Sequence, residues 1–246
     1  IMREIVLDTE TTGFEPESGD RLVEIGCLEL MNHMPTGRTF HVYMNPERSM
    51  PMDAFKVHGI GPDLLEPPQP LQPGQVTLRD KKLFKSHAQD FLDFIEDSKL
   101  VIHNAAFDMK FLNAELGWLN MPKIPFDRAV DTLAIARRKF PGSPASLDAL
   151  CRRFGIDNSS RTLHGALLDS EILAEVYLEL IGGRQPDLVL AGPSEKKKDS
   201  GEMLSADWRP MPRPTALGSR LTEEESAAHS EFVEKLGDGA IWKKLG

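Results

Sequence analysis

Asp8 and Glu10 are the first residues along the chain whose types and spacing could do chemistry, and both follow the apolar run Ile5–Leu7. The run predicts a short buried strand. Side chains two apart in a strand share a face, so both carboxylates point the same way, roughly 6–7 Å apart along the strand. Two acids placed together at a strand end favour a hard divalent cation with oxygen ligands between them. A solvated strand end followed by a threonine and glycine turn fits this segment alone equally well.

Two later segments carry related chemistry at the starts of predicted helices. Asp108 lies just after the predicted strand Leu100–Ile102, at a strand-to-helix junction where α/β sheets place their ligands. The spacing His164-x4-Asp169 puts a histidine at a helix start and an aspartate in the following turns. Taken singly, Asp108 is explained by the preference of acids for a helix N-terminus, and His164 by a capping or surface role. Asp169 needs a further reason, because the helix around it is strongly apolar.

In this order, Asp8-x-Glu10, Asp108 and His164-x4-Asp169 resemble the motifs of the DnaQ-like 3′→5′ exonuclease superfamily, in its histidine (DEDDh) type. The likeness spans residues 3–181, and the segments DTETTG, VHGI, HNAAFD and SLDALC are similar to the proofreading subunits of bacterial replicative DNA polymerases. The resemblance implies an α/β, ribonuclease H-like fold with a mixed five-stranded sheet flanked by helices. It also implies hydrolysis of the 3′-terminal phosphodiester of DNA, releasing nucleoside 5′-monophosphates.

The same resemblance assigns roles to individual residues. Two divalent metal ions, Mg²⁺ or Mn²⁺, are expected at the four acids, and His164 is expected to act as the general base. Six residues are expected to bind the 3′ nucleotide: Thr9, Thr11, Gly13, Val57, His58 and Asn104. A fifth acid, Asp131, is explained by capping of the helix that begins at Thr132.

Other functions are compatible with the same metal site. Metal chemistry does not distinguish DNA from RNA, because that choice depends on a contact to the 2′-hydroxyl. An exoribonuclease or oligonucleotide-degrading enzyme and a hydrolase of free nucleotides therefore stay open as alternatives. A largely non-catalytic scaffold that bridges polymerase and clamp is the remaining alternative, and the presence of all five site residues argues against it.

The chain is predicted to have three parts, at 1–181, 182–220 and 221–246. Strands followed by alternating strands and helices predict the exonuclease domain in the first part. The second part is rich in proline and glycine and poor in large apolar residues, which is typical of a flexible linker. Thr222 and Glu225 form a capping box that predicts a helix at the start of the third part.

Two protein partners are expected, one for the linker and one for the tail. The linker segment Gln185, Leu188 and Leu190 resembles the short peptides that dock into bacterial sliding clamps. The tail carries an apolar stripe that the predicted helix cannot cover by itself, so it is expected to bind the polymerase subunit. The tail residues expected to make this contact are Phe232, Leu236 and Trp242.

Composition and charge limit the classes of protein. Of the 246 residues, 40% are hydrophobic and 27% are charged, as in a globular protein. The formal net charge of −9 argues against free-standing binding to long nucleic acids, but not against acting at a nucleic-acid end. No apolar stretch reaches the length of a membrane span, and no signal-like leader is visible. With Cys27 and Cys151 in apolar surroundings, the sequence predicts a reduced, cytoplasmic protein without a membrane partner.

Overall fold

The computed structural model of this chain describes residues 2–159, 163–183 and 221–237. These residues fall into two compact units, one within Ile1–Leu190 and the other within Ala191–Gly246. Within the described ranges, the helices are too short or too polar to cross a membrane.

A five-stranded mixed sheet forms the centre of the first unit, as predicted. Its strands are β1 (Arg3–Thr11), β2 (Leu22–Met31), β3 (Met34–Tyr43), β4 (Lys99–Ile102) and β5 (Ala129–Asp131). The order across the sheet is β3-β2-β1-β4-β5. The first three strands are antiparallel neighbours, whereas β4 pairs parallel to β1 and β5 parallel to β4. The strand β1 is therefore central, with an antiparallel neighbour on one side and a parallel neighbour on the other.

The strand predicted at Ile5–Leu7 is longer in the structure. Asp8 and Glu10 lie within the strand, not beyond it, because β1 continues through Thr11. The β-branched residues Thr9 and Thr11 favour this extension, and the whole segment pairs with β2. The expectation that both acids share one face is unaffected. The register shifts between Glu10 and Thr11, where β2 carries an extra residue.

Helices cover both faces of the sheet. They are α1 (Met52–His58), α2 (Ala88–Ile95), α3 (Ala105–Trp118), α4 (Thr132–Lys139), α5 (Leu147–Phe154) and α6 (Ala166–Leu180), with α7 (Glu223–Lys235) in the second unit. Ile5 and Leu7 of β1 pack in one core with α2 and α3. Val6 faces the opposite way and packs with α4, α5 and α6. Cys27 and Cys151 are buried in these separate cores, so they do not pair with each other.

Local capping follows the sequence signals. The Ser146 side chain accepts from the amide of Ala149, and the left-handed Gly155 ends α5. The predicted capping box of α7, formed by Thr222 and Glu225, is present. The segment from 66 to 80 contains no helix or strand, as expected for a surface loop, but Leu78 fixes it to a small third core.

The N-terminal turn of α6 lies directly against β2 at Gly26. A Cβ atom at Gly26 would overlap the backbone of Ala166 and Leu167, and the Ser170 hydroxyl donates to the Gly26 carbonyl at 2.9 Å. Gly26 is also the cross-strand partner of Asp8. The absence of a side chain at this position therefore brings the start of α6 close to the acids of β1.

Substitution of Gly26 by Ala is expected to lower the free energy of unfolding by about 2 kcal/mol or more. The added methyl group meets backbone atoms that cannot rotate away, and overpacking of this kind typically costs about 1–3 kcal/mol. Gly117→Ala in α3 is the matched control, because its Cβ would meet only the flexible end of Lys123. The control should be neutral or stabilising by up to about 1 kcal/mol. Urea unfolding of both variants measures the difference, and equal effects would contradict the close packing at Gly26.

Candidate active site

The structure brings the five sequence-predicted chemical residues into one cleft of about 320 Å³. Asp8 and Glu10 come from β1, Asp108 from the first turn of α3, and Asp169 from the first turn of α6. His164 lies just before α6. The remaining lining residues are Thr9, His103, Asn104, Phe107, Leu147 and Asp148. No lysine or arginine is among the described residues that line this cleft.

Carboxylates with no lysine or arginine beside them dominate the electrostatics of this cleft. Asp108 and Asp169 are 2% and 3% exposed, and Glu10 is 8% exposed. Burial raises the pKa of Asp8 well above its ordinary value, and the charges of Asp108, Glu10 and Asp169 raise it further. The pKa of Asp108 is also raised by burial, against the effect of a hydrogen bond from Thr9. A set of crowded carboxylate oxygens is the donor set that a hard divalent cation prefers.

His164 is close to two of the acids. Its Nδ1 lies 3.2 Å from Asp169 Oδ2, and its side chain is 46% exposed. Ligand atoms of Glu10, His164 and Asp169 all lie within 4.8 Å of one another. The His164 amide donates to the Val57 carbonyl at 3.1 Å, which fixes the segment against α1. With its proton on Nδ1, the imidazole donates to Asp169 and its Nε2 is the basic atom.

The predicted substrate-binding residues of the β1 turn make internal contacts in this structure. The Thr9 hydroxyl donates to Asp108 Oδ1 at 2.7 Å, so it orients one of the acids. The Thr11 hydroxyl donates to the Gly13 carbonyl at 2.6 Å. Gly13 is packed so closely against Asp20 that a Cβ atom would overlap its carboxyl group. Thr11 and Gly13 nevertheless line a second, adjoining cleft.

This second cleft, of about 630 Å³, is large and open enough for a nucleotide base. Val57 and His58 line it together with two aromatic residues, Phe14 and Phe107. Phe14 is 81% exposed and packs edge-on against Phe107, with 6.3 Å between the ring centroids. Phe107 and Glu10 line both clefts, so the two spaces are contiguous. The sequence reasoning missed both phenylalanines, although an aromatic residue directly after the DTETTG segment was the available signal.

His58 and Asn104 are held in place by hydrogen bonds that involve backbone groups. His58 Nδ1 accepts from the Ile60 amide at 3.0 Å, so its Nε2 carries the proton and faces the Thr11 carbonyl at 3.3 Å. Burial lowers the pKa of His58 to about 4. Asn104 has a left-handed backbone conformation at the start of α3, and its amide donates to Asp131. Asp131 also caps α4, as predicted.

The residues predicted to bind protein partners lie apart from these clefts in sequence. Phe232 and Leu236 are 56% and 47% exposed, and α7 has no buried residue. Trp242 and the linker residues Gln185, Leu188 and Leu190 lie outside the described residues.

Comparison with known proteins identifies the family. The family model described as Exonuclease matches residues 5–177. DNA polymerase III subunit epsilon of Rickettsia felis is 46% identical over 238 residues, which cover 96% of this chain and 97% of that protein. The protein of the same name from Escherichia coli K12 is 42% identical over 258 residues, which cover 99% and 98%. The chain belongs to the DNA polymerase III epsilon family of exonucleases.

Solved structures share the fold of this epsilon-family exonuclease. The nuclease domain of 3′hExo, described as a DEDDh family member bound to rAMP, has a TM-score of 0.57 at 19% identity and covers 73% of this chain and 91% of its own. Exonuclease X, in complex with 5′ overhanging duplex DNA, has a TM-score of 0.51 at 22% identity, with coverages of 72% and 90%. The predicted family resemblance and fold class are confirmed, and the carboxylate set fits the divalent metal ions of a DEDDh enzyme.

Replacing Asp8 with Asn should have opposite effects on stability with and without metal. The pKa of Asp8 is raised on folding, so its contribution weakens the fold as pH rises above 3.8. Asp8→Asn should therefore raise the melting temperature in chelator. It should also diminish the stabilisation by excess Mn²⁺. A bound ion raises the free energy of unfolding by about 2.7 kcal/mol at 100 times the Kd. Asp131→Asn is the control, since asparagine also caps helices. Thermal unfolding measures both, and an unchanged metal response in Asp8→Asn would contradict a metal site at β1.

His58 should make stability fall in mild acid. Between its ordinary pKa of 6.5 and its folded value of about 4, the unfolded chain binds a proton that the folded protein does not. The free energy of unfolding should therefore decrease as pH falls through this window, by up to about 3 kcal/mol from this group. Urea unfolding of His58→Gln should show a smaller decrease than the wild type, whereas His229→Gln on the exposed helix α7 should match the wild type. Identical slopes for all three would show that His58 is not buried as a neutral group.

Proposed function

We propose that this chain is the proofreading exonuclease of a bacterial replicative DNA polymerase and removes nucleotides from the 3′ end of a primer. The observation that carries this proposal is the single cleft in which four acids and His164 meet. The names of its full-length relatives support the connection to DNA polymerase III. The proposal includes the product, a nucleoside 5′-monophosphate.

Two divalent ions, Mg²⁺ or Mn²⁺, would be held by the four acids. Their chemistry is to stabilise both the entering and the departing oxygen of the phosphodiester. Asp8 is crowded by the charges of all three other acids, which supports a role as the shared ligand. Glu10 and Asp169 belong to one group of neighbouring ligand atoms, and Asp108 approaches from the opposite face of the sheet.

His164 would accept the proton of the attacking water at Nε2. The water oxygen forms a bond to the terminal phosphorus while the bond from phosphorus to the 3′-oxygen breaks. The 3′-oxygen leaves as an alkoxide and takes a proton from solvent, so the shortened strand ends in a 3′-hydroxyl group and the released nucleotide keeps the phosphate. The Nδ1 contact to Asp169 orients the imidazole and stabilises the positive charge that it acquires.

The second cleft would bind the base and sugar of the 3′ nucleotide. The exposed ring of Phe14, with Phe107 and Val57 beside it, offers an apolar surface on which any base can stack. Thr11, Gly13 and His58 line the same space and would face the sugar. Asn104 lines the metal cleft and would orient the substrate there. Thr9 would act indirectly, through its hydrogen bond to Asp108.

Partner proteins would compensate for the charge of −9, which disfavours unaided binding to DNA. We assign residues 1–181 to the exonuclease domain, 182–220 to a linker and 221–246 to a polymerase-binding tail. Residues 184–220 lie outside the described residues. The tail residues Phe232 and Leu236 are exposed on a capped helix, and Trp242 follows them in sequence. A clamp-binding peptide at Gln185, Leu188 and Leu190 stays a prediction. A tethered exonuclease gains in effective concentration at the primer end.

Hydrolysis should require the acids, His164 and metal. Asp8→Ala should lose roughly 10³-fold or more, because metal stabilisation of the transition state is worth several kcal/mol. His164→Ala should lose roughly 10²–10⁴-fold, the usual contribution of a general base. Release of 5′-monophosphates is measured from mismatched DNA primers, oligoribonucleotides and free nucleotides. Turnover that survives Asp8→Ala or excess chelator would contradict the mechanism. Faster cleavage of oligoribonucleotides would favour the exoribonuclease instead.

The tail should bind the polymerase subunit through the exposed stripe of α7. Replacing both Phe232 and Leu236 with Ser in the full chain should weaken that complex by roughly 10-fold or more, because buried apolar anchors dominate interface energies. Ser230→Ala, away from the stripe on the same helix, is the control. Hydrolysis of short single strands should stay unchanged in both variants. Calorimetric binding to the polymerase subunit is the measurement, and equal affinities for both variants would contradict a contact through Phe232 and Leu236.

A further inference from the structure

A buried carboxylate that the proposed mechanism does not use lies behind the active site. Glu24 on β2 is 1% exposed and is the cross-strand partner of Glu10. Cross-strand partners share a face of the sheet, so Glu24 is on the side of β1 that carries both metal-binding acids. It belongs to none of the sequence motifs, and for this reason the sequence reasoning did not select it.

Each of the two oxygens of this carboxylate has a hydrogen-bonding partner. Glu24 Oε2 accepts from the amide of Ala166 at 3.0 Å. Its Oε1 lies 2.7 Å from His41 Nε2. Tyr43 on β3 is the cross-strand partner of Glu24. Ala166 is the first residue of α6, and an amide at this position has no acceptor within its own helix. Glu24 supplies that acceptor from the neighbouring strand.

The contact belongs to a larger docking arrangement between β2 and α6. Gly26, two residues along from Glu24 on the same face, leaves room only for the backbone of α6. The Ser170 hydroxyl bonds to the Gly26 carbonyl one turn further into the helix. Asp169 lies in this first part of α6, and His164 lies two residues before the helix begins. The lateral placement of both residues therefore depends on β2.

We propose that Glu24 is a positioning residue, which holds the Ala166 amide and thereby sets Asp169 and His164 against the acids of β1. This inference rests on the function proposed above. Glu24 does not line the cleft itself, so it acts through α6 and not on the substrate. Loss of the contact lets the start of α6 shift, and small shifts of ligands are sufficient to weaken metal binding and turnover.

Glu4 provides a matched control, because it contacts the other end of the same helix, α6. It is 2% exposed, lies on β1 and accepts from the Tyr177 hydroxyl at 2.8 Å. His33 Nδ1 lies 2.8 Å from its other oxygen. A strand carboxylate thus holds each end of α6, with a histidine as the second contact in both cases. Only the end held by Glu24 adjoins the cleft.

The decisive experiment compares Glu24→Ala and Glu4→Ala in the full-length protein. Both should lower the melting temperature, but only Glu24→Ala should reduce kcat on a single-stranded oligonucleotide, by roughly 10–100-fold, with KM nearly unchanged. The Mn²⁺ affinity from calorimetry should fall by a similar factor in Glu24→Ala alone. Glu24→Gln keeps an acceptor oxygen at the same reach, so it should restore both quantities to within about threefold of the wild type. Normal kcat and Mn²⁺ affinity in Glu24→Ala, equal losses in Glu4→Ala, or no rescue by glutamine would each overturn the proposal.

Hydrogen exchange of the wild type tests the contact without a variant, so it decides the case if Glu24→Ala does not fold. The Ala166 amide should exchange far more slowly than that of Glu223, the first residue of the exposed helix α7. Equally fast exchange would overturn the proposal. This readout and the Mn²⁺ affinity do not depend on turnover. A wild type without nuclease activity would therefore refute the proposed function, whereas a failed positioning role would leave that activity intact.

Discussion

Repulsion among carboxylates is the constraint on which the rest of this structure depends. Burial makes the largest contribution to the unfavourable energy of the charged form of Asp8, and the charges of the three other acids of the site add to it. The protein has no lysine or arginine among the described residues of that cleft to relieve it. The packing of the surrounding elements must therefore hold the acids together until cations bind. The crowding of these acids lowers the stability of the metal-free site. The same crowding gives the site its affinity for metal.

The two hydrophobic cores explain how the acids are held. The core under α3 supports Asp108 from one face of the sheet, and the core under α6 supports Asp169 from the other. Both helices begin at the end of the central strand, where Thr9 and the backbone near Gly26 fix them. The site is thus assembled from elements far apart in sequence, and each is anchored independently. Phe107 lies on the same helix as Asp108, and its ring lines both the metal cleft and the second cleft.

Much of this arrangement could be predicted from the sequence. The spacing of Asp8 and Glu10 indicates their common face, and the apolar helix around Asp169 makes that acid conspicuous. The length of β1 and the short strand β5 could not be predicted, because three or four polar or mixed residues carry no clear periodicity. The roles of Glu24 and Phe14 could not be predicted from the sequence for another reason. Their importance comes from neighbours that only the folded chain brings together, namely Ala166 and Phe107.

The pairing register of β1 and β2 determines where the chain tolerates an inserted or deleted residue. Adjacent strand residues face opposite sides, so a slip of one residue between β1 and β2 would turn both acids away from α6 and towards α2 and α3. Such a slip would turn the face of β1 that carries Glu4, Asp8 and Glu10 towards the apolar core under α2 and α3, and it would separate Asp8 from Gly26. An inserted or deleted residue within β1 or β2 would therefore lower the stability of the sheet as well as abolish activity. In the loop at 66–80, which contributes no residue to either cleft, the same event would displace none of the acids.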